Sequence, residues 1–206
     1  MAPPRNLRRR DALADAAIEI LGTAGMHKLS HRSVDEQAGL PPGTASNYFP
    51  RREDLLAAAA TRVAELHVAS MTAADREAVS PVSHDQLAEL IGANLLESAT
   101  QYRTRYLAVF ELTLEASRQP ALAGALAQLG IATLESTVAE HRALGLPTTP
   151  EQVQALMTLF GGTLLTLVTG PPEAITPGAT LTLAQAIVRG VLGAGRPPEG
   201  PLPVWH

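Results

Sequence analysis

Three features of the sequence predict an all-α fold. Apolar residues recur at three- and four-residue spacing along most of the chain. Hydrophobic residues make up 46 % of the 206 positions but aromatic ones only 3 %. The core must therefore be built of Ala, Leu and Val, a mixture that favours helix over strand. Runs rich in β-branched and aromatic residues with period two are absent.

The elements follow in order. Residues 1–7 carry two prolines and no apolar periodicity and are expected to be irregular. A first helix spans 8–24, with Leu13, Ala16, Ala17, Ile20 and Leu21 on one stripe and Gly22 and Gly25 loosening its end. Ser30 is the N-cap of a second helix, since its hydroxyl can accept a free N–H of the first turn. Ala38–Gly39–Leu40 ends that helix, Gly39 taking the left-handed conformation of a sharp reversal. Pro41 and Pro42 prevent its continuation. A short third helix, 42–49, is opened by Gly43 and Thr44 and closed by Pro50. Residues 51–73 form a longer helix with Glu53 and Asp54 in its first turn, where negative charge is favourable. Residues 74–82 read as a linker. Ser83 and Gln86 make a capping box for a helix to about 100. Further helices follow over 102–117, 120–144 and, after the Thr149–Pro150–Gln152 cap signature, 150–169. A loop at 171–177 leads to a last helix over 180–193, and the tail 196–206 has no helical signal.

Helix, Gly-containing turn and second short helix are the outline of a helix-turn-helix. The third helix has only Ala45 and Phe49 as apolar anchors. Its other side chains are Thr44, Ser46, Asn47 and Tyr48, which can hydrogen-bond to phosphates and base edges. A helix meant only for packing would carry more aliphatic surface, although any helical hairpin can contain such a turn. The charge distribution agrees with a nucleic-acid contact at one end. Residues 1–52 hold eight basic against five acidic side chains, leaving −7 on the remainder of a chain whose net charge is −4. The arginines near the start, Arg8 among them, fit either a solvated basic tail or an arm reaching DNA.

The stretch 153–168 is apolar nearly all round and carries Gly161–Gly162 in mid-helix. Such a helix is buried on more than one side. The last helix adds a second stripe, and together they favour an intersubunit four-helix bundle over packing within one chain. Its interface candidates are Leu156, Phe160, Gly161, Gly162, Leu164, Ile187 and Val191. The helices between 85 and 169 could enclose a ligand cavity lined by Tyr102, Tyr106, Phe110, Glu111, His141, Met157 and Phe160, each of which also fits an ordinary core or solvated position.

No catalytic chemistry is recognisable. The chain has no cysteine, hence no thiol nucleophile, disulfide or thiolate metal site. There is no Gly-rich phosphate loop and no nucleophile elbow. His27 and His31 would pair on a metal only on one continuous helix, and Ser30 begins a helix between them. No metal, cofactor or enzymatic activity is expected. No apolar run reaches the roughly 18–20 residues needed to span a membrane, and the basic N-terminus lacks a hydrophobic signal core, so the cytoplasm is the default.

Val34, Asp35, Ala38, Gly39 and Leu40, then Gly43, Thr44, Ser46, Tyr48 and Phe49, then Arg52, Glu53, Leu55 and Leu56 reproduce the spacing of a known pattern. Over about residues 8–60 the chain resembles the DNA-binding region of the TetR family of transcriptional regulators. It departs from that family at Asp35, where Ala is usual, at Ser46, where a phosphate-contacting Tyr is usual, and at Tyr48, where His is frequent. The resemblance implies a DNA-binding domain over 1–50 and a helical effector-binding and dimerisation domain over 51–206, with 51–73 as the connecting helix. It implies a repressor acting as a homodimer on a pseudo-palindromic, double-stranded operator and released by a small-molecule effector. The apolar lining predicts an apolar or amphipathic effector. Arg8, Ser30, Arg32, Gly43, Thr44, Ser46, Asn47, Tyr48 and Arg52 are the candidate DNA contacts. Thr44, Tyr48 and Arg52 suit phosphates, and Ser46 and Asn47 suit bases. The alternatives are a helical DNA-binding protein without an effector, and a helical ligand carrier or enzyme that binds no DNA.

Overall fold

A computed structural model describes residues 4–74 and 82–193. Among these residues there are nine α-helices and no strand: α1 Pro4–Ala24, α2 His31–Gln37, α3 Thr44–Tyr48, α4 Arg52–Ala74, α5 His84–Thr100, α6 Arg103–Ala116, α7 Pro120–Ala143, α8 Pro150–Thr169 and α9 Pro177–Leu192. The first helix begins at Pro4, not at residue 8, so the segment expected to be irregular is helical from its fourth residue. Pro is well placed there, because the N–H it lacks would be unpaired in a first turn. The last helix begins at Pro177, with the Thr176 side chain accepting from the Ala179 N–H at 3.2 Å. Residues 75–81 of the expected linker and the tail from 194 onward lie outside the described residues.

The chain divides into two compact units: residues 1–73 with 104–130, and residues 74–103 with 131–206. This differs from a division at residue 50. The reason is that α1–α3 cannot close their core alone. Leu13, Leu21, Val34, Ala45 and Phe49 are covered by Leu55, Leu56 and Ala59 of α4 and by Ala108 and Leu112 of α6, all at most 1 % exposed. Burying each Leu or Phe contributes on the order of 1.5–3 kcal/mol. Gly22 does not loosen the end of α1: a Cβ there would overlap the carbonyl oxygen of Thr104, so the glycine permits α6 to approach.

In the second unit Val82, Leu87, Ala88, Leu146, Leu156, Ile187 and Val188 form one buried cluster. The helix starts are satisfied as the residue types require. Ser83 and Gln86 form a reciprocal capping box, as do Thr149 and Gln152. Arg103 donates to the carbonyl of Val168 at 2.7 Å, taking up an acceptor in the last turn of α8.

By length and composition both α7 and α8 are apolar enough to cross a membrane, contrary to the expectation from unbroken apolar runs. Leu, Ala, Val and Ile keep the average hydropathy high, while Gly, Thr and a few polar residues interrupt the run. The same composition serves a helix packed in a bundle, and two such helices are weak grounds for a membrane span.

Two histidines are withdrawn from solvent, His141 buried and His67 half-buried. Burial pushes His141 below its ordinary value of 6.5, and its Nδ1 lies 3.0 Å from the Thr148 hydroxyl. His67 is also lowered, by burial first and by the Arg105 charge second. Unfolded, both bind protons near 6.5; folded, they stay neutral to lower pH. Stability is therefore fully present above about 6.5 and is lost as pH falls below it. The urea midpoint should fall as pH is lowered from about 7.5 to 5, and His141→Gln should flatten part of that fall; an unchanged slope would refute the assignment.

Candidate DNA interface

The helix-turn-helix is assembled from local signals and a few long-range bonds. Ser30 caps α2 in a capping box with Ser33: Ser33 N–H donates to the Ser30 hydroxyl at 3.1 Å and Ser30 N–H to the Ser33 hydroxyl at 2.9 Å. Gly39 ends the helix at a φ of 64°, and Gly43 precedes α3 at 89°. Both values fall in the left-handed region that only glycine occupies without strain. Phe49, 1 % exposed, plugs the far end of α3 into the core, and its carbonyl lies 2.6 Å from His31 Nε2 at the start of α2. Since the carbonyl can only accept, Nε2 must carry the proton.

Between these ends sits Asp35, an acid only 2 % exposed. One carboxylate oxygen accepts from Gly43 N–H and the other from Ala45 N–H, each at 2.7 Å. The sequence marks this position only as a departure from the family pattern, an acid next to the buried Val34.

Ser46 and Asn47 are exposed. Ser46 donates to Gly43 O at 3.0 Å, and the half-buried Thr44 donates to Pro41 O at 2.6 Å. Tyr48 is half-buried, its hydroxyl 3.2 Å from Asn6 Oδ1 on α1. Arg10 of α1 stacks over the Phe49 ring at 4.8 Å. Arg8 is exposed on a helix rather than on an irregular arm. Arg32 is exposed and paired with Glu36 at 2.9 Å, and the hydrogen bond and charge of Glu36 raise its pKa. Arg52, expected to be a solvent-facing phosphate ligand, is half-buried and donates to the carbonyl of Met26 at 2.8 Å. The N–H of the same Met26 donates to Glu111 of α6 at 3.1 Å.

The effector-pocket candidates do not gather within one unit. Tyr106, Phe110 and Glu111 belong to the first unit; Tyr102, His141, Met157 and Phe160 belong to the second. Glu111 holds Met26, the Tyr106 hydroxyl lies 3.0 Å from His67 Nδ1, and His141 is buried against Thr148. A cleft of about 260 Å³ in the first unit is lined instead by charged residues including Arg10, Asp11, Asp54, Arg62 and Glu65, and by none of those candidates. Its Arg62 already binds Asp15 and Glu65 at 2.8 and 3.2 Å. Among the interface candidates, Leu156, Leu164 and Ile187 are buried within the chain itself. Val191, Phe160 and Gly161 are half-buried, and Gly162 is exposed. The exposed apolar positions nearby are Leu159, Leu165 and Leu183.

Comparison with known proteins agrees with this architecture. Residues 13–59 match the family described as bacterial regulatory proteins, tetR family, and residues 82–194 match the tetracyclin repressor-like C-terminal domain. The HTH-type transcriptional regulator BetI of Brucella melitensis is 31 % identical over 104 residues, half of this chain, which thus spans about half the length of the curated relatives it matches. The crystal structure of the multidrug binding protein EbrR complexed with ethidium is 26 % identical, with a TM-score of 0.66 over 87 % of this chain and 98 % of that one. A transcriptional regulator from Rhodococcus sp. Rha1 shares the fold at 16 % identity, with a TM-score of 0.71 over 89 % of this chain and 95 % of that one. By the match over more than half its length to the C-terminal domain, together with the match over the helix-turn-helix, the chain belongs to the TetR family.

Proposed function

We propose that the chain is a transcriptional repressor that binds a pseudo-palindromic operator as a homodimer and is released by an apolar or amphipathic small molecule. The observation that carries DNA binding is the face of α3: Phe49 and Ala45 anchor it from below, while Ser46 and Asn47 stand exposed beside the turn. Such a helix offers donors and acceptors to a major groove, with the two copies reading half-sites roughly 34 Å apart. EbrR, a relative by fold and sequence, supports an effector of the proposed class, since its structure is complexed with ethidium. Met157 and Phe160 remain the apolar candidates for the effector site in the second unit.

Asn47→Ala should cost roughly 1–3 kcal/mol on an operator selected from random duplexes and leave scrambled DNA almost unaffected. Arg52→Ala should weaken both duplexes alike and flatten the slope of log affinity on log salt by about one unit per lost phosphate contact. It should also lower the melting temperature, because Met26 O keeps only the Leu29 N–H and loses its tie to α4. A wild-type protein that retards no duplex at low salt would refute the DNA-binding reading.

Dimerisation is proposed through the outward faces of α8 and α9, where Leu159, Leu165 and Leu183 are exposed around Gly162. A Cβ at Gly162 meets nothing within 4 Å among the described residues. Gly162→Leu should therefore leave the protomer's fold intact while holding two backbones apart, weakening the dimer roughly tenfold or more. Sedimentation of the wild type as a monomer at micromolar concentration would overturn this assignment.

A further inference from the structure

The start of α3 has donors that its own turn does not serve. The helix follows Pro41–Pro42–Gly43, and no side chain of that turn caps it. Thr44 N–H reaches Pro41 O at 3.1 Å. The N–H groups on either side of it, those of Gly43 and Ala45, both point to the carboxylate of Asp35, one oxygen each, at 2.7 Å.

We propose that Asp35 is a positioning residue for operator recognition: from the preceding helix it supplies the cap that the Pro-Pro-Gly turn lacks, and so sets the place and rotation of α3. The inference rests on the DNA-binding reading above. A single hydroxyl cap fixes one donor and leaves the helix start free to swivel about it. Two oxygens of one rigid carboxylate, bonded to residues 43 and 45, fix the backbone on both sides of Thr44. The bonds are charge-assisted and short, and the positive end of the helix favours the buried anion. Asp35 itself cannot wander, because it lies within α2, 2 % exposed, and its own carbonyl accepts from Leu40 N–H at 2.9 Å. A helix of five residues does not persist by itself in water. Ser46 and Asn47 are thus presented at one angle only while the carboxylate holds. The Ala usual in the family at this position has no acceptor to offer, so the carboxylate is a device of this chain's turn.

The experiment uses the full chain, in the wild type and in Asp35→Ala and Asp35→Asn. Amide hydrogen exchange at Gly43 and Ala45 reports on the free protein, and anisotropy titrations report on a selected operator and a scrambled duplex. Melting temperatures are recorded alongside. Both amides should exchange slowly in the wild type; Asp35→Asn should lose protection at one of them and Asp35→Ala at both. Operator affinity should fall roughly tenfold or more in Asp35→Ala, and less in Asp35→Asn, which keeps one oxygen acceptor. Affinity for the scrambled duplex should stay within about twofold, since no cation facing phosphate is removed. Global unfolding would lower both affinities together, and if Asp35→Ala does not fold, the Asp35→Asn comparison decides. Unprotected amides in the wild type, or a folded Asp35→Ala with undiminished operator affinity, would overturn the proposal. A wild type that binds no duplex would instead sink the DNA-binding reading, and the amide data would still report whether Asp35 holds α3.

Discussion

A helix of five residues cannot supply its own stability, and the first unit of this protein is arranged around that constraint. Nucleation of so short a segment is unfavourable, so α3 exists because other parts of the chain hold both its ends. At one end Gly43 takes a backbone conformation closed to most residues, and Asp35 supplies acceptors; at the other Phe49 fills the core and its carbonyl meets His31. The remainder of the unit can be read as support for these attachments. Helix α4 covers Phe49 and Ala45 with Leu55, Leu56 and Ala59, and α6 closes the far side with Ala108 and Leu112.

The peptide groups flanking Met26 show the same logic at the other edge of the helix-turn-helix. The Met26 N–H is taken by Glu111 of α6 and its C=O by Arg52 of α4. A short 3₁₀ turn, Met26–Lys28, that joins α1 to α2 is thereby tied to two helices remote in sequence. Backbone groups in such a turn have few partners within it, and side chains from elsewhere complete the hydrogen bonding. Arg52 thus has a structural partner within the first unit.

What was legible in the sequence was whatever depends on neighbours along the chain. The capping boxes at Ser83 and Thr149, the glycine reversal at Gly39 and the apolar stripe of α1 are all set within a few residues, and each is found where the pattern places it. The start of α1 is not announced in the sequence, because Pro4, Arg5, Asn6 and Leu7 carry no apolar stripe. The bonds of Asp35, His31, Arg52 and Glu111 are not legible in the sequence. They join residues between 8 and 85 positions apart, and the side-chain types do not say which backbone group they will meet. Of the DNA candidates, Ser46 and Asn47 are exposed as their polarity suggested, whereas Arg52 is drawn inward. Along α8, apolar nearly all round, periodicity does not separate the positions that close its own core, Leu156 and Leu164, from those left outside, Leu159 and Leu165.

Among the described residues, eight of the nineteen buried in the first unit's core are alanines. Alanine has no side-chain rotamers to lose, so ordering this core costs little side-chain entropy, which offsets the modest apolar area each methyl removes from water. Methyl groups also make low ridges, and helices that meet through low ridges interlock weakly along their axes. In such a core the shapes of the side chains do little to choose between one helix register and the next. That choice falls to the few polar bonds at the helix ends, which act as dowels between otherwise smooth rods.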